Sequence, residues 1–292
     1  MDWLGIDIGG SSVKGARLRD GVVAATAQSD RYENPEPDAI RGAIAGVVKM
    51  IGDGVPVALG VCAPGIYDQE HGRIVKSVNL TGLCALALRD ELAAMTGASA
   101  GSIGVFTDAH AAAYDFAMSR GLSGRVVAIS IGTGVGAAVL DGGVPLLVSG
   151  RSPGHLGQID VGEHLGPGFS SVPLGPDGGR GGLEGYIGLP AIIRAYGRHV
   201  EHVLSMFTID HPPVRALVRA IRIVHAIYRP EHVALLGGIG VAMKRLVPDI
   251  RERVNDELTS QARLGWELHA GDDLLHAARG AARLAGAARR GG

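Results

Sequence analysis

Gly5-Ile6-Asp7-Ile8-Gly9-Gly10-Ser11-Ser12-Val13-Lys14-Gly15 is the stretch from which the rest of the chain is read. An apolar run from Trp3 to Ile8 carries one acidic residue, Asp7, breaks at paired glycines and then resumes. The pattern predicts two strands of a hairpin whose turn has no room for side chains. Glycine lets the backbone approach a ligand closely, and successive turn N–H groups form a concave anion site. Ser11 and Ser12 add hydroxyl groups, and Lys14 adds a positive charge. A carboxylate beside such a loop repels phosphate unless a divalent cation lies between them, so Asp7 points to Mg²⁺ carrying nucleotide phosphates. An ordinary Gly-Gly hairpin with a solvated Asp fits the same residues.

The logic recurs further along. Val126 to Ile131 is an apolar strand running into Gly132-Thr133-Gly134-Val135-Gly136, then Ala137 to Leu140 and an Asp141-Gly142-Gly143 turn. The order is again strand, glycine loop, strand and Asp-Gly turn, the first such turn lying between Leu18 and Val23. Two such loops, one in each half, predict a duplicated fold with a ligand held between the halves. A third glycine loop, Gly237-Gly238-Ile239-Gly240, closes the strand that starts at His232.

Between these landmarks the chain reads as α/β. Val22 to Gln28 is a third strand, Asp38 caps a helix running to Met50, and Val57 to Cys62 is a buried parallel strand ending in the turn Ala63-Pro64-Gly65. Ile74 to Leu80 is read as a strand and Ala85 to Met95 as a helix. In Val105-Phe106-Thr107-Asp108-Ala109-His110-Ala111 a strand turns directly into an alanine-rich helix. Asp108 thus stands at the carboxyl end of a strand, where α/β proteins bind ligands, and also fits a plain N-cap. Gly150 to Gly182 is irregular and too long for a mere connector. Helices follow over Leu183 to Tyr196, Val214 to Tyr228, Lys244 to Leu264 and Leu274 to Arg290, the basic residues of the last one forming a solvated face.

Composition narrows the function classes. The 292 residues suggest two domains, and 46% apolar against 20% charged residues is ample for packed cores. A net charge of −1 without basic or acidic runs points away from nucleic acid and anionic membranes. No secretory leader or membrane span is read, and two cysteines, Cys62 and Cys84, make no disulfide framework. A cytoplasmic globular protein is expected.

The opening GIDIGGSSVKG, the TDAHAAA turn, the ISIGTGVGAAVLDGG loop, the GRGGLEGY segment and the VALLGGIG loop stand in one order along nearly the whole chain. In that order and spacing the chain resembles the bacterial sugar kinases of the ROK family, within the actin-like ATPase superfamily. The resemblance implies an α/β, duplicated two-domain ribonuclease H-like fold with an interdomain cleft, residues 1–109 with 276–292 forming the smaller domain and 110–275 the larger. It implies an ATP- and Mg²⁺-dependent kinase acting as a homodimer. Gly9, Gly10, Ser11, Ser12 and Lys14 would lie along the phosphates, with Asp7 holding Mg²⁺ through water. Gly132, Thr133 and Gly134 would grip the phosphates from the other domain, and Gly237, Gly238 and Ile239 would lie by the adenosine. Asp108 would be the general base that takes a proton from the sugar hydroxyl.

The sugar site departs from the family pattern. Thr107 replaces the usual Asn before the base, and Gly154-His155-Leu156-Gly157-Gln158 replaces a segment with a sugar-binding Glu and a zinc-binding His. Glu184 is retained; Asn79 and Gly65 match pocket positions, although Asn79 also fits a strand cap and Glu184 a helix-start charge. The zinc positions carry Gln158, Gly175, Asp177 and Gly182, none a thiol, so no structural zinc is expected. The acceptor is expected to be a hexose, an N-acetylhexosamine or a related polyol. A cyclitol kinase or a non-catalytic sugar-binding homologue are the alternatives, and with the phosphate loop starting at Gly5 a preceding DNA-binding domain is not expected.

Overall fold

The computed structural model describes all residues except 53, 69–70, 79, 149–153, 163–170, 177 and 292. The chain forms two compact units, Met1–Phe116 with Leu275–Gly292, and Ala117–Leu274.

Unit 1 begins as a meander of β1 (Asp2–Ile8), β2 (Val13–Arg19) and β3 (Val22–Gln28), each antiparallel to the next. Asp20 and Gly21 both take positive φ at the tight turn between β2 and β3, the geometry that matches strand twist in a two-residue hairpin. Helix α1 (Pro37–Ile51) buries Ile40, Ile44, Val47 and Ile51, a helical spacing that faces the sheet core of Leu4, Ile6, Leu59 and Val61. Pro37 takes the first helical turn and Glu36 the cap position, so Asp38 lies inside the helix and does not cap it. The helix stops at Gly52, whose carbonyl accepts a 2.7 Å hydrogen bond from the buried Arg17.

Strand β4 (Ala58–Cys62) pairs in parallel with β1 and with β7 (Ile103–Phe106), after a small hairpin of β5 (Ile66–Asp68) and β6 (Arg73–Lys76) and the helix α2 (Leu88–Thr96). The strand expected to reach Leu80 therefore ends at Lys76, and a 3₁₀ turn over Thr81–Ala85 delays the helix expected from Ala85. Gly65, at φ +120°, turns the chain into β5 where a side chain would strike the Lys76 carbonyl. Helix α3 (Asp108–Arg120) follows β7.

Unit 2 repeats the plan with β8 (Arg125–Ile131), β9 (Val135–Asp141) and β10 (Val144–Pro145). Helices α4 (Leu183–Ile187), α5 (Leu189–Tyr196), α6 (Val200–Met206) and α7 (Pro212–Tyr228) follow, then β11 (His232–Leu236), α8 (Gly237–Ala242), α9 (Val247–Glu257) and β12 (Glu267–Ala270). The single helices expected over Leu183 to Tyr196 and Lys244 to Leu264 are each shorter. Gly188 with Pro190 breaks the first, and the second ends at Glu257. The sheet orders are β3-β2-β1-β4-β7 and β10-β9-β8-β11-β12, in each case three antiparallel strands followed by two parallel ones. That shared order is the duplication the two glycine loops predicted.

Helix α10 (His276–Gly291) returns to unit 1 and lies on β1 and β4. It sits so close that a Cβ at Gly5 would overlap the Ala278 carbonyl oxygen and one at Gly60 that of Ala281, while Gly280 meets Ala111 of α3 in the same way. Gly5, the first residue of the opening motif, thus serves helix packing and not phosphate. Gly60→Ala is expected to destabilise the protein by about 1–3 kcal/mol, because the colliding atom is backbone and cannot swing aside. Urea unfolding measures it, and unchanged stability would contradict the contact.

Two arginines of α10, Arg279 and Arg283, are not part of the solvated face that the sequence reading gave this helix, whereas Arg289 is exposed as expected. Arg279 Nε and Arg283 Nε donate to the two carboxylate oxygens of Asp115 at 2.8 and 2.9 Å, and His276 Nδ1 lies 2.8 Å from Oδ2. Asp115 is fully buried on α3. Burial alone would raise its pKa, but these partners outweigh it and hold the carboxyl below its usual range. This cluster ties the first half of α3 to unit 1, so the units divide at Phe116 and not at the start of the helix. Among the described residues, no helix is long and apolar enough to cross a membrane.

Candidate active site

In unit 1 the register aligns Asp7 with Cys62 and Cys62 with Phe106 across the parallel strands β1, β4 and β7. Asp7 and the Thr107-Asp108 pair therefore emerge at one carboxyl edge, the position where open α/β sheets receive ligands. Burial raises the Asp7 pKa, Asp108 raises it further, and Lys14, with Nζ 3.4 Å from Oδ2, offsets part of the rise. The same two carboxylates, after burial, push up the thiol of Cys62. Two carboxylates in one neighbourhood with one lysine leave a shortage of positive charge and offer oxygen donors, a set that fits Mg²⁺.

The loop between β1 and β2 closes with the Gly9 N–H donating to the Ser12 carbonyl at 3.0 Å. Ser12 is buried, and its hydroxyl accepts from Gln28 Nε2 at 3.2 Å, whereas Gly10 and Ser11 are half-buried at the turn. Tyr32 donates its hydroxyl to the Gly9 carbonyl at 2.6 Å and its N–H to the Ser11 carbonyl at 3.0 Å. Burial first, and then Asp7, raise its phenol pKa, so it stays a donor. This tyrosine braces the loop from a distance in sequence, and no local pattern announces it.

At the start of α3 the cap is Thr107. Its carbonyl accepts the first helical bond from Ala111, and its hydroxyl accepts from the His110 N–H at 3.3 Å. Asp108 is the first helical residue, half-buried, with Oδ1 accepting from the Ala109 N–H at 2.8 Å. The cap that sequence assigned as an alternative role for Asp108 is thus filled by its neighbour. His110, not singled out by sequence, is buried with Nδ1 2.9 Å from the Thr107 hydroxyl. Its burial lowers its pKa against the pull of Asp108, so a neutral imidazole backs the carboxylate.

Unit 2 places its glycine loops in the same way. Leu236 pairs with Ser130, so Gly132-Thr133-Gly134 after β8 and Gly237-Gly238 after β11 share one carboxyl edge. The Gly132 N–H closes its loop on the Gly134 carbonyl at 2.9 Å, and the Gly132 carbonyl accepts from Leu189 N–H at 2.9 Å. Gly237 takes φ +74°, where a side chain is strained. The Ile239 side chain enters the core of the unit, leaving only its backbone for a ligand.

His155, Gly157 and Glu184 come together beside that loop. A Cβ at Gly157 would lie 3.1 Å from His155 Cε1 and 3.2 Å from Glu184 Oε2. Glu184 Oε2 accepts from the Val135 N–H at 2.7 Å, so this carboxylate joins α4 to the end of the Gly132–Gly134 loop. His155 and Gln158 are exposed at either end of a 3₁₀ turn over Leu156–Gln158. Gly65 belongs to unit 1, and Asn79 and Asp177 fall outside the described residues. The donor set does not fit a thiolate zinc: Gln158, Gly175 and Gly182 offer neither thiol nor imidazole, and Cys62 and Cys84 belong to unit 1.

The fold is that of a ROK glucokinase from Streptomyces griseus solved with glucose and AMPPNP, at a TM-score of 0.77, 21% identity and full coverage of both chains. A ROK hexokinase from Thermus thermophilus matches at a TM-score of 0.71, again with 21% identity and full coverage of both chains. Both place the chain in the actin-like ATPase fold. Among curated proteins, a glucokinase from Thermotoga maritima is 29% identical over 291 residues, spanning 87% of each chain. An N-acetylmannosamine kinase from Escherichia fergusonii is 28% identical over 255 residues, spanning 83% of this chain and 84% of its own. The ROK family model itself matches residues 3–288, and the chain belongs to that family.

Proposed function

We propose that the chain transfers the γ-phosphoryl group of ATP to a hydroxyl of an N-acetylhexosamine or related polyol, with Asp108 as general base. The observation that carries this reading is the division of labour at the start of α3. Thr107 holds the cap position, so the Asp108 carboxylate stands at the strand edge near Asp7, with one oxygen on the Ala109 N–H and the other not needed for the cap. In the reaction the acceptor hydroxyl oxygen attacks the γ-phosphorus and the bond to the bridging oxygen of ADP breaks. The hydroxyl proton passes to an Asp108 oxygen. Such transfer asks mainly for positioning and charge neutralisation. Asp7, through water, and the loops Gly9–Ser12 and Gly132–Gly134 would hold the Mg²⁺-bound phosphates, the ion supplying positive charge to the phosphate oxygens. Gly237 and Gly238 would face the adenosine. Lys14, paired with Asp7 here, is placed to exchange that partner for a phosphate oxygen. Work as a cytoplasmic homodimer belongs to the same reading.

His155 directs the choice of acceptor. A carboxylate accepts from two adjacent hydroxyls at once, whereas a neutral imidazole offers one acceptor and one donor. His155 beside Glu184 therefore suits a sugar that presents an acceptor, such as an acetamido carbonyl, next to a hydroxyl. The presence of N-acetylmannosamine kinases among the relatives supports this. Coupled ADP release across a sugar panel tests the function, and no release with any sugar or polyol would favour a non-catalytic sugar-binding protein. His155→Glu is expected to shift the glucose to N-acetylmannosamine ratio of kcat/KM toward glucose by about 1–3 kcal/mol. Efficient glucose phosphorylation by the wild type, unchanged in the variant, would remove His155 from sugar recognition.

A further inference from the structure

The edge of the unit 2 sheet holds a second cluster of ligating groups. His232 on β11 stands directly opposite Glu267 on β12, and His269 lies two residues further along the same strand. Alternation along a strand puts Glu267 and His269 on one face, and the cross-strand register brings His232 to it. The opposite face buries Val233 and Leu268 in the core. Three atoms converge: His232 Nδ1 and His269 Nε2 are 3.1 Å apart, and Glu267 Oε2 is 3.7 Å from the first and 3.4 Å from the second. In a tetrahedral site with metal–ligand bonds of the usual length, donor atoms sit about 3.3–3.6 Å apart. The observed separations of 3.1, 3.4 and 3.7 Å straddle that range, so small side-chain adjustments bring the three donors into it. It borders a cavity of about 440 Å³ lined by His232, Glu267, Glu231, Arg251 and Trp266.

We propose that His232, His269 and Glu267 form a binding site for a divalent transition-metal ion, zinc by preference, that pins edge strand β12 to β11. Two imidazoles and one carboxylate are donors of the borderline class, suited to zinc, cobalt or nickel and not to Mg²⁺. Three protein ligands leave the fourth position of a tetrahedral ion for water from the cavity. Without metal the two rings hydrogen bond to each other, so one of them carries its proton on the shared edge. On metal binding that ring takes its other tautomer and presents a lone pair instead. The surrounding charges are mixed: Arg251 and Arg120 act against a cation, Glu267 and Glu231 for it. His232 and His269 are mostly buried, with side chains 17% and 15% exposed, which pre-orients the rings, and Glu267 is exposed enough to close over the ion. The site shares no residue with the Gly150–Gly182 segment and stands independently of the kinase reading.

The test titrates chelator-washed, nucleotide-free protein with Co²⁺ and follows the visible ligand-field absorption. The expected result is one saturable equivalent per chain, displaced by Zn²⁺, with a rise in Tm as metal binds the folded state alone. Glu267→Gln, which changes an exposed side chain, is expected to weaken binding by at least about tenfold while the metal-free Tm stays unchanged. His232→Ala/His269→Ala is expected to abolish the band. Absence of a saturable band, full retention of it in the double histidine variant, or unaltered affinity in Glu267→Gln would each overturn the site. If the double variant misfolds, the Glu267→Gln comparison alone decides.

Discussion

Asp108→Asn is expected to fold as the wild type does and to lose about two to four orders of magnitude in turnover, the usual worth of a positioned general base. The substitution is close to isosteric, and an Asn carbonyl can keep the 2.8 Å bond from the Ala109 N–H. The helix cap belongs to Thr107, so it survives. What disappears is the capacity to accept a proton from the attacking hydroxyl, and with it a carboxylate that raises the pKa of Asp7. Nucleotide binding and Tm are the controls, and coupled ADP release is the readout. Near wild-type turnover would transfer the role of base to another group.

Asp115→Ala is expected to cost about 3–5 kcal/mol, because removing one member of a buried ion cluster leaves the others desolvated and unpaired. Here the abandoned groups are Arg279, Arg283 and His276, all on α10, so the loss strikes the attachment of that helix. The pH dependence follows from the depressed carboxyl. A group whose folded pKa lies below its unfolded value stabilises fully above the unfolded value, about 3.9 for Asp, and loses that contribution as pH falls through the folded one. Urea unfolding of the wild type should therefore weaken as pH falls below about 4, and Asp115→Asn should lack this part of the decline. A cost below about 1 kcal/mol in Asp115→Ala would mean that the cluster adds little to stability.

Much of the frame was legible because its signals are local. Apolar runs bounded by Gly and Asp-Gly turns announced β1 to β4, β8, β9 and β11, and the two glycine loops announced the duplication before the matching sheet orders confirmed it. The positions of Asp7 and Asp108 at strand ends were legible for the same reason, each being a lone carboxylate where an apolar run closes. What stayed hidden depends on partners far away in sequence. Asp115 meets Arg279 and Arg283 across 164 and 168 residues, so the arginines read as surface charge. Tyr32 reaches Gly9 across 23 residues, a contact that no local pattern signals. Gly5 and Gly60 are small because a distant helix rests on them, which no local pattern of glycines distinguishes from a phosphate loop. Helix breaks at Gly188 and the 3₁₀ turns at Thr81 and Leu156 fell below the resolution of periodicity.

The seating of α10 on Gly5 and Gly60 has a consequence for biosynthesis. A nascent chain emerges in order, so the ribosome releases all of residues 117–274 between the strands of the first sheet and the helix that covers them. Unit 2 is contiguous and has every element it needs once β12 is out, whereas β1, β2 and β4 must wait with Trp3, Leu18 and Ala58 uncovered. Exposed sheet faces of this kind recruit chaperones or mispair with neighbours when synthesis is crowded. The order of synthesis thus lets the later unit assemble its sheet before the earlier one can be covered, because the alanines of α10 come last.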